Sequence, residues 1–229
     1  GGGHHHLGIA AAGTDMVPYP YNYGITTIIL RYRLRDDGYI AEVDAVNDAL
    51  QSIRLVRFRA DEWGIDPLKI GVFGFSAGGE VATGSAPNYP AFDTENNSSD
   101  DPLAGVSSRP DFVGLLYTEP SDITRDPTKA IPSDVPPSFI ACPSYGEARH
   151  TGWSMDFYLA MLNQKVPNIE MHLYASGGHG GGISDRRGTP YGTWPDRFID
   201  WFRDLGFLGK PDVPTKAAVD TAINLSAKK

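Results

Sequence analysis

Residues 74–79 read Gly74-Phe75-Ser76-Ala77-Gly78-Gly79, and the reading of the whole chain works outward from them. An apolar run at 69–75 leads in, and small residues of helical character follow. Strand, sharp glycine-flanked turn, then helix is the setting in which G-x-S-x-G forms a nucleophile elbow. The reason is steric. The serine must sit on a strained turn with its hydroxyl projecting from the end of a sheet, so its neighbours cannot carry large side chains. Gly74 and Gly78 meet that need, and Ala77, at the helix start, can offer its backbone N–H to a developing oxyanion. The plain alternative is a chance glycine-rich βα turn.

Upstream, the chain opens Gly1-Gly2-Gly3-His4-His5-His6-Leu7. Three histidines near a terminus resemble a tag remnant. A glycine run ahead of a G-x-S-x-G elbow is also the second half of an oxyanion hole, and that reading is preferred, with Gly2 and Gly3 as donors. Such a loop normally follows earlier strands, so early strands of the sheet are expected to be missing from this chain. Residues 25–34 are rich in β-branched side chains and predict a buried strand. From Ile40 to Trp63 apolar residues recur at helical spacing (Ile40, Val43, Val46, Leu50, Ile53, Val56, Ala60), with Arg54, Arg57 and Arg59 on a solvated face.

Downstream, the helix after the elbow is expected to run to Ala86, and 87–108 to form a long polar surface loop. Strands are predicted at 111–117, 138–142 and 169–174, helices at 152–164 and 195–205. Residues 121–137 show no clear element. Repeated βα units predict an α/β fold with a doubly wound, mostly parallel sheet, its site at the strand ends. Residues 1–209 form one catalytic domain on this reading, and 210–229 a C-terminal tail.

Composition narrows the function. The 229 residues suit one domain, and 41 % are hydrophobic. No apolar run reaches the length of a membrane span, and the net charge of −8 argues against nucleic acid as a partner. The single cysteine, Cys142, excludes an intrachain disulfide and sits in an apolar run, so burial accounts for it. Neither oligomeric state nor compartment is legible; the N-terminus is uninformative and compatible with a secreted or periplasmic protein.

A serine hydroxyl needs a base. Of six histidines, His179 lies in Ser176-Gly177-Gly178-His179-Gly180-Gly181-Gly182, directly after a predicted strand. A glycine-rich loop late in the chain is where the order Ser…acid…His puts the base; His150 is the second candidate. The acid should follow the 138–142 strand, where Glu147 is the one carboxylate of residues 143–150. Glu119, after the 111–117 strand, competes with it. His4, Arg149 and His150 are candidate substrate contacts, and Arg186 and Arg187 lie in the loop bearing His179. No metal or other cofactor is called for.

These residues make the chain similar to a known family. It resembles the α/β-hydrolase esterases that include bacterial feruloyl and acetylxylan esterases of the BD-FAE type. The resemblance runs through the opening glycines, Tyr32-Arg33-Leu34, Ile53-Arg54-Leu55-Val56-Arg57 and Glu62-Trp63-Gly64-Ile65-Asp66-Pro67. It continues through the elbow, Arg109-Pro110-Asp111-Phe112, Pro136-Pro137-Ser138-Phe139, His172-Leu173-Tyr174, Gly177-Gly178-His179-Gly180 and Trp194-Pro195. It implies an α/β-hydrolase fold with Ser76 as nucleophile, His179 as base, and oxyanion donors from the glycine loop and Ala77. It also implies a small-molecule or polysaccharide ester as substrate, acetyl or feruloyl, deacylated through an acyl-enzyme. The family usually carries an Asp-Asp pair followed by Val-Pro after the Phe139 strand. This chain has Tyr145-Gly146-Glu147, so the acid carries over by a shift of one position. Two rivals stand beside this reading: a serine peptidase of the prolyl-oligopeptidase kind, and a non-catalytic carbohydrate-binding relative.

Overall fold

A computed structural model describes residues 1–180 and 188–209; Arg186, Arg187 and the 210–229 tail lie outside them. Four strands, β1 (Val72–Phe75), β2 (Val113–Leu116), β3 (Ser138–Tyr145) and β4 (Glu170–Ser176), form one parallel sheet in the order β1-β2-β3-β4. The α-helices among the described residues are α1 (Pro18–Tyr21), α2 (Ala41–Phe58), α3 (Ala60–Trp63), α4 (Ala77–Glu95), α5 (Asp122–Arg125), α6 (Ala148–Asn163) and α7 (Trp194–Asp204).

Strand alternation divides the core between the two faces of the sheet. Val113, Leu115 and Ile140 face Ala82 and Ala86 of α4 and Phe157 and Met161 of α6. Phe75, Leu116, Phe139 and Ala141 face Trp194, Phe198, Trp201 and Phe202 of α7. Successive residues of β2 and β3 thus serve opposite layers, and both faces are covered, the arrangement an all-parallel sheet requires. A second layer, α2, packs on α4 through Val46, Leu50, Tyr89 and Phe92. Cys142 is fully buried in β3, and that burial pushes its thiol above the usual range.

Three expectations need correction. Residues 25–34 form no regular element and pair with no strand among the described residues. Leu30, Tyr32 and Leu34 pack inward on Ala45, Ala49 and Val81, while Ile28 and Ile29 face solvent. Richness in β-branched side chains favours a strand, but a strand also needs a ladder. Here the Arg33 N–H donates instead to the Asp48 carboxylate of α2 at 2.8 Å.

The helix after the elbow does not stop at Ala86; it runs to Glu95 through Pro87 and Pro90. Each interior proline costs about 3 kcal/mol. Burial of Ala82, Ala86, Tyr89 and Phe92 on that helix opposes the cost, and the Asn88 side chain donates to the Gly84 carbonyl at 2.7 Å. Lastly, Arg54 is not on a solvated face. It is 2 % exposed and donates to the carbonyls of Asn96, Leu103 and Val106 and to Asp101, fastening the segment that follows α4. Arg57 likewise reaches Asp111, at 2.8 Å.

Candidate active site

The site lies at the C-terminal ends of β1 to β4. Ser76 joins β1 to α4 with φ 55° and ψ −123°, a conformation costing on the order of 1–3 kcal/mol for a residue with a side chain. Packing over-determines it. A Cβ on Gly74 would stand 1.8 Å from the Gly78 carbonyl oxygen, and one on Gly79 would stand 2.9 Å from Thr118. The glycines therefore let α4 start hard against the strand, and the Ser76 N–H is held by the Leu116 carbonyl at 3.0 Å.

The opening glycines do lie beside this elbow. Gly1 approaches it most closely: a Cβ there would be 2.9 Å from the Phe75 carbonyl oxygen and 3.9 Å from the Ser76 Cβ. Gly2, at φ 91°, turns the chain so that its carbonyl accepts from the N–H groups of His5 and His6. Gly3 follows it, exposed, while Ala77 is fully buried at the first turn of α4.

His4 departs from its expected role. It is 1 % exposed, and its Nε2 lies 2.8 Å from Glu80, which also pairs with Arg125. In this position the ring is turned away from solvent and ties the glycine loop to α4.

His179 follows β4 between Gly178 and Gly180, and its ring rests 4.8 Å from that of Tyr117. Its Nε2 is 3.0 Å from Ser76 Oγ and its Nδ1 is 2.9 Å from Glu147 Oε2. The tautomer with the proton on Nδ1 satisfies both contacts, leaving Nε2 to accept from the serine hydroxyl. Glu147 is 5 % exposed. The loop expected at 143–150 shrinks, because β3 continues to Tyr145 and α6 begins at Ala148. Glu147 is thus the N-cap of α6, fixed between two regular elements.

Glu119, the competing acid, meets His150. Its Oε1 is 3.3 Å from His150 Nε2, and this contact holds its carboxyl below the usual carboxylate range. His150 Nδ1 lies 2.6 Å from Glu147 Oε2, so one buried carboxylate oxygen faces two imidazoles. Arg149 is exposed, with its guanidinium 4.9 Å over the Trp153 ring. Glu147, His150 and His179 bring donor atoms within 4.8 Å of one another, close enough to offer a cation three ligands. Those atoms are already engaged with each other and, through His179, with Ser76. The contact between Glu119 and His150 was not foreseen from sequence; the signal was the presence of two carboxylates after neighbouring strands.

Comparison with known proteins agrees with this architecture. Residues 2–110 match the BD-FAE family model. An acetylxylan esterase of Xylanibacter ruminicola is 28 % identical over 235 residues, covering 97 % of this chain and 46 % of that protein. The chain therefore spans about half the length of this curated relative. Among solved structures, the acetyl ester-xyloside bifunctional hydrolase of Caldicellulosiruptor lactoaceticus superposes with a TM-score of 0.78 at 28 % identity, covering 91 % of this chain and 82 % of that one. A carboxylesterase of Lactobacillus plantarum WCFS1 shares the fold, with a TM-score of 0.74 at 21 % identity over 92 % of this chain and 85 % of that one. No helix among the described residues is long and apolar enough to cross a membrane. The chain has the α/β-hydrolase fold and, through residues 2–110, resembles the BD-FAE-type esterases.

Proposed function

We propose that this chain is a serine carboxylic-ester hydrolase acting on acylated carbohydrates. One observation carries the reading: the line from Ser76 Oγ to His179 Nε2 at 3.0 Å, and from His179 Nδ1 to Glu147 Oε2 at 2.9 Å. As the hydroxyl attacks an ester carbonyl, His179 Nε2 takes its proton, and Glu147 orients the ring and offsets the imidazolium charge. The oxyanion is met by the N–H of Ala77 and by N–H groups of the glycine loop at Gly2 and Gly3. His179 then returns the proton to the leaving alcohol. Water, deprotonated by the same ring, releases the acid from the acyl-serine. The carbohydrate ester, an acetyl group on xylan first of all, is suggested by the relatives named acetylxylan esterase and acetyl ester-xyloside hydrolase.

The test is hydrolysis of p-nitrophenyl acetate, together with acetate release from acetylated xylan. Ser76→Ala should lose at least about 10³-fold in kcat. Glu147→Gln should lose on the order of 10²- to 10⁴-fold, since a glutamine cannot balance the imidazolium. Parent activity no better than that of Ser76→Ala would overturn the reading. Retained xylan binding without turnover would then favour the carbohydrate-binding alternative. Cleavage of amides but not esters would favour the peptidase.

A further inference from the structure

The arginines of this acidic chain mostly meet carboxylates, as Arg33, Arg57, Arg125 and Arg197 do. Arg149 does not. It is exposed, and among the described residues no hydrogen bond or ion pair engages it. Its guanidinium lies instead over the ring of Trp153, one turn along α6, at 4.9 Å. That stack engages the flat face of the group and leaves the N–H fork on its edge for a planar anion. Helix stability does not account for the residue, because it is the second of α6, where the macrodipole disfavours a cation.

Where this fork lies follows from the sheet. The strand order β1-β2-β3-β4 sets the glycine loop and Ala77 beside β1, and α6 after β3. Trp153 meets the His150 ring edge-on at 5.4 Å, and that ring is centred 4.4 Å from His179. Seen from the oxyanion donors, Arg149 is therefore beyond His179. When an ester is cleaved, its carbonyl oxygen turns to those donors and its leaving oxygen to the imidazole that protonates it. The part of the substrate on the imidazole side is the alcohol. The acids nearby are already engaged: Glu147 faces His179 and His150, and Glu119 faces His150. With both ring nitrogens so engaged, His150 is not the free substrate contact expected of it.

We infer that Arg149, held flat on Trp153, is a subsite for a carboxylate carried by the alcohol part of the ester, so that the enzyme favours acylated carbohydrates bearing a uronic acid close to the acyl group. The inference rests on the esterase reading above and narrows its substrate class. A guanidinium fork matches a carboxylate through two parallel N–H···O bonds, whereas a neutral sugar hydroxyl accepts a single, weaker one. The net charge of −8 repels an anionic substrate at long range. Preference for such a substrate therefore has to come from a local cation, and Arg149 supplies it.

The experiment compares two substrates that differ in one charge: acetylated xylo-oligosaccharides with a glucuronic acid branch, and the same material after its carboxyl is reduced to an alcohol. The parent should favour the acidic form in kcat/KM by about five- to tenfold, the scale of a bidentate arginine–carboxylate contact at an exposed site. Arg149→Gln should bring the ratio near one, and Arg149→Lys, a point charge without the fork, should keep part of it. A parent without the preference, or an Arg149→Gln variant that slows both substrates equally and keeps the ratio, would overturn the proposal. So would dependence on Arg149 of p-nitrophenyl hemisuccinate but not of the carbohydrates, which would put the anion on the acyl side. Calorimetry gives a readout without turnover: the acidic oligosaccharide should bind Ser76→Ala about five- to tenfold more tightly than Ser76→Ala/Arg149→Gln, and equal Kd values would refute the subsite. If the parent turns over no faster than Ser76→Ala, the esterase reading has failed, and the calorimetry alone still decides the role of Arg149.

Discussion

The tightest steric constraint at the site is the distance between Gly74 and the first turn of α4, which makes Gly74→Ala a quantitative test of the elbow. The added methyl would lie 1.8 Å from the Gly78 carbonyl oxygen, 2.2 Å from its carbon and 2.7 Å from the Gly79 nitrogen, all backbone atoms. Ordinary contact begins near 3.4 Å, so strand and helix must part by about 1.6 Å, with no flexible side chain to take up the change. Overpacking of this severity lies at the top of the usual range, about 3 kcal/mol. For a domain of this size that lowers the melting midpoint by roughly 6–12 °C. Ser76 sits two residues on, at the hinge that has to open. A displacement of about 1 Å there costs on the order of 10²-fold in turnover, because attack geometry tolerates little error. The matched control is Gly152→Ala, within α6, where an added Cβ meets no atom within 4 Å. It should raise the midpoint by about 2–4 °C, through roughly 1 kcal/mol of helix propensity, and leave turnover unchanged. Thermal denaturation and p-nitrophenyl acetate hydrolysis read both variants. If Gly74→Ala melts and turns over like the parent, β1 and α4 are not in the contact described and the steric account of the elbow is wrong.

Arg54→Met should cost about 3–5 kcal/mol in urea denaturation, because it strips a buried cation from Asp101 and from the carbonyls of Asn96, Leu103 and Val106; an unchanged midpoint would show that the segment after α4 does not depend on it. The pair formed by Glu119 and His150 predicts a stability window. The Glu119 carboxyl is depressed below its ordinary 4.5 by the bond from His150, so its contribution is present above that value and lost as pH falls through the folded-state value. His150 is raised above its ordinary 6.5, so its contribution is full below 6.5 and lost as pH rises through its own folded-state value. The melting difference between the parent and Glu119→Gln should therefore be largest between pH 4.5 and 6.5 and shrink on either side. A difference that does not vary with pH would exclude a charged pair.

What could be read in the sequence was what short-range sterics dictate. The glycine spacing around Ser76 is legible because a strained turn excludes side chains from its own neighbours, and the neighbours are adjacent in sequence. His179 is legible for a similar reason, lying in a glycine run straight after a strand. The passage of α4 through Pro87 and Pro90 was hidden, since local propensity speaks against it and the opposing term is burial of Tyr89 and Phe92 against α2. Residues 25–34 misled in the other direction: richness in β-branched side chains is a property of the segment, whereas a ladder belongs to its neighbours. The carboxylates show the same limit most sharply. Glu119 and Glu147 looked like rivals for one histidine because sequence order gives each a strand end and says nothing about distance. Parallel pairing of β2 with β3 brings both C-terminal strand ends to the same end of the sheet, and there His150 lies between the two carboxylates. Two imidazoles 4.4 Å apart cannot share a single carboxylate without an excess of positive charge whenever both are protonated. A second carboxylate offsets that excess, and the two acids accordingly make different contacts here.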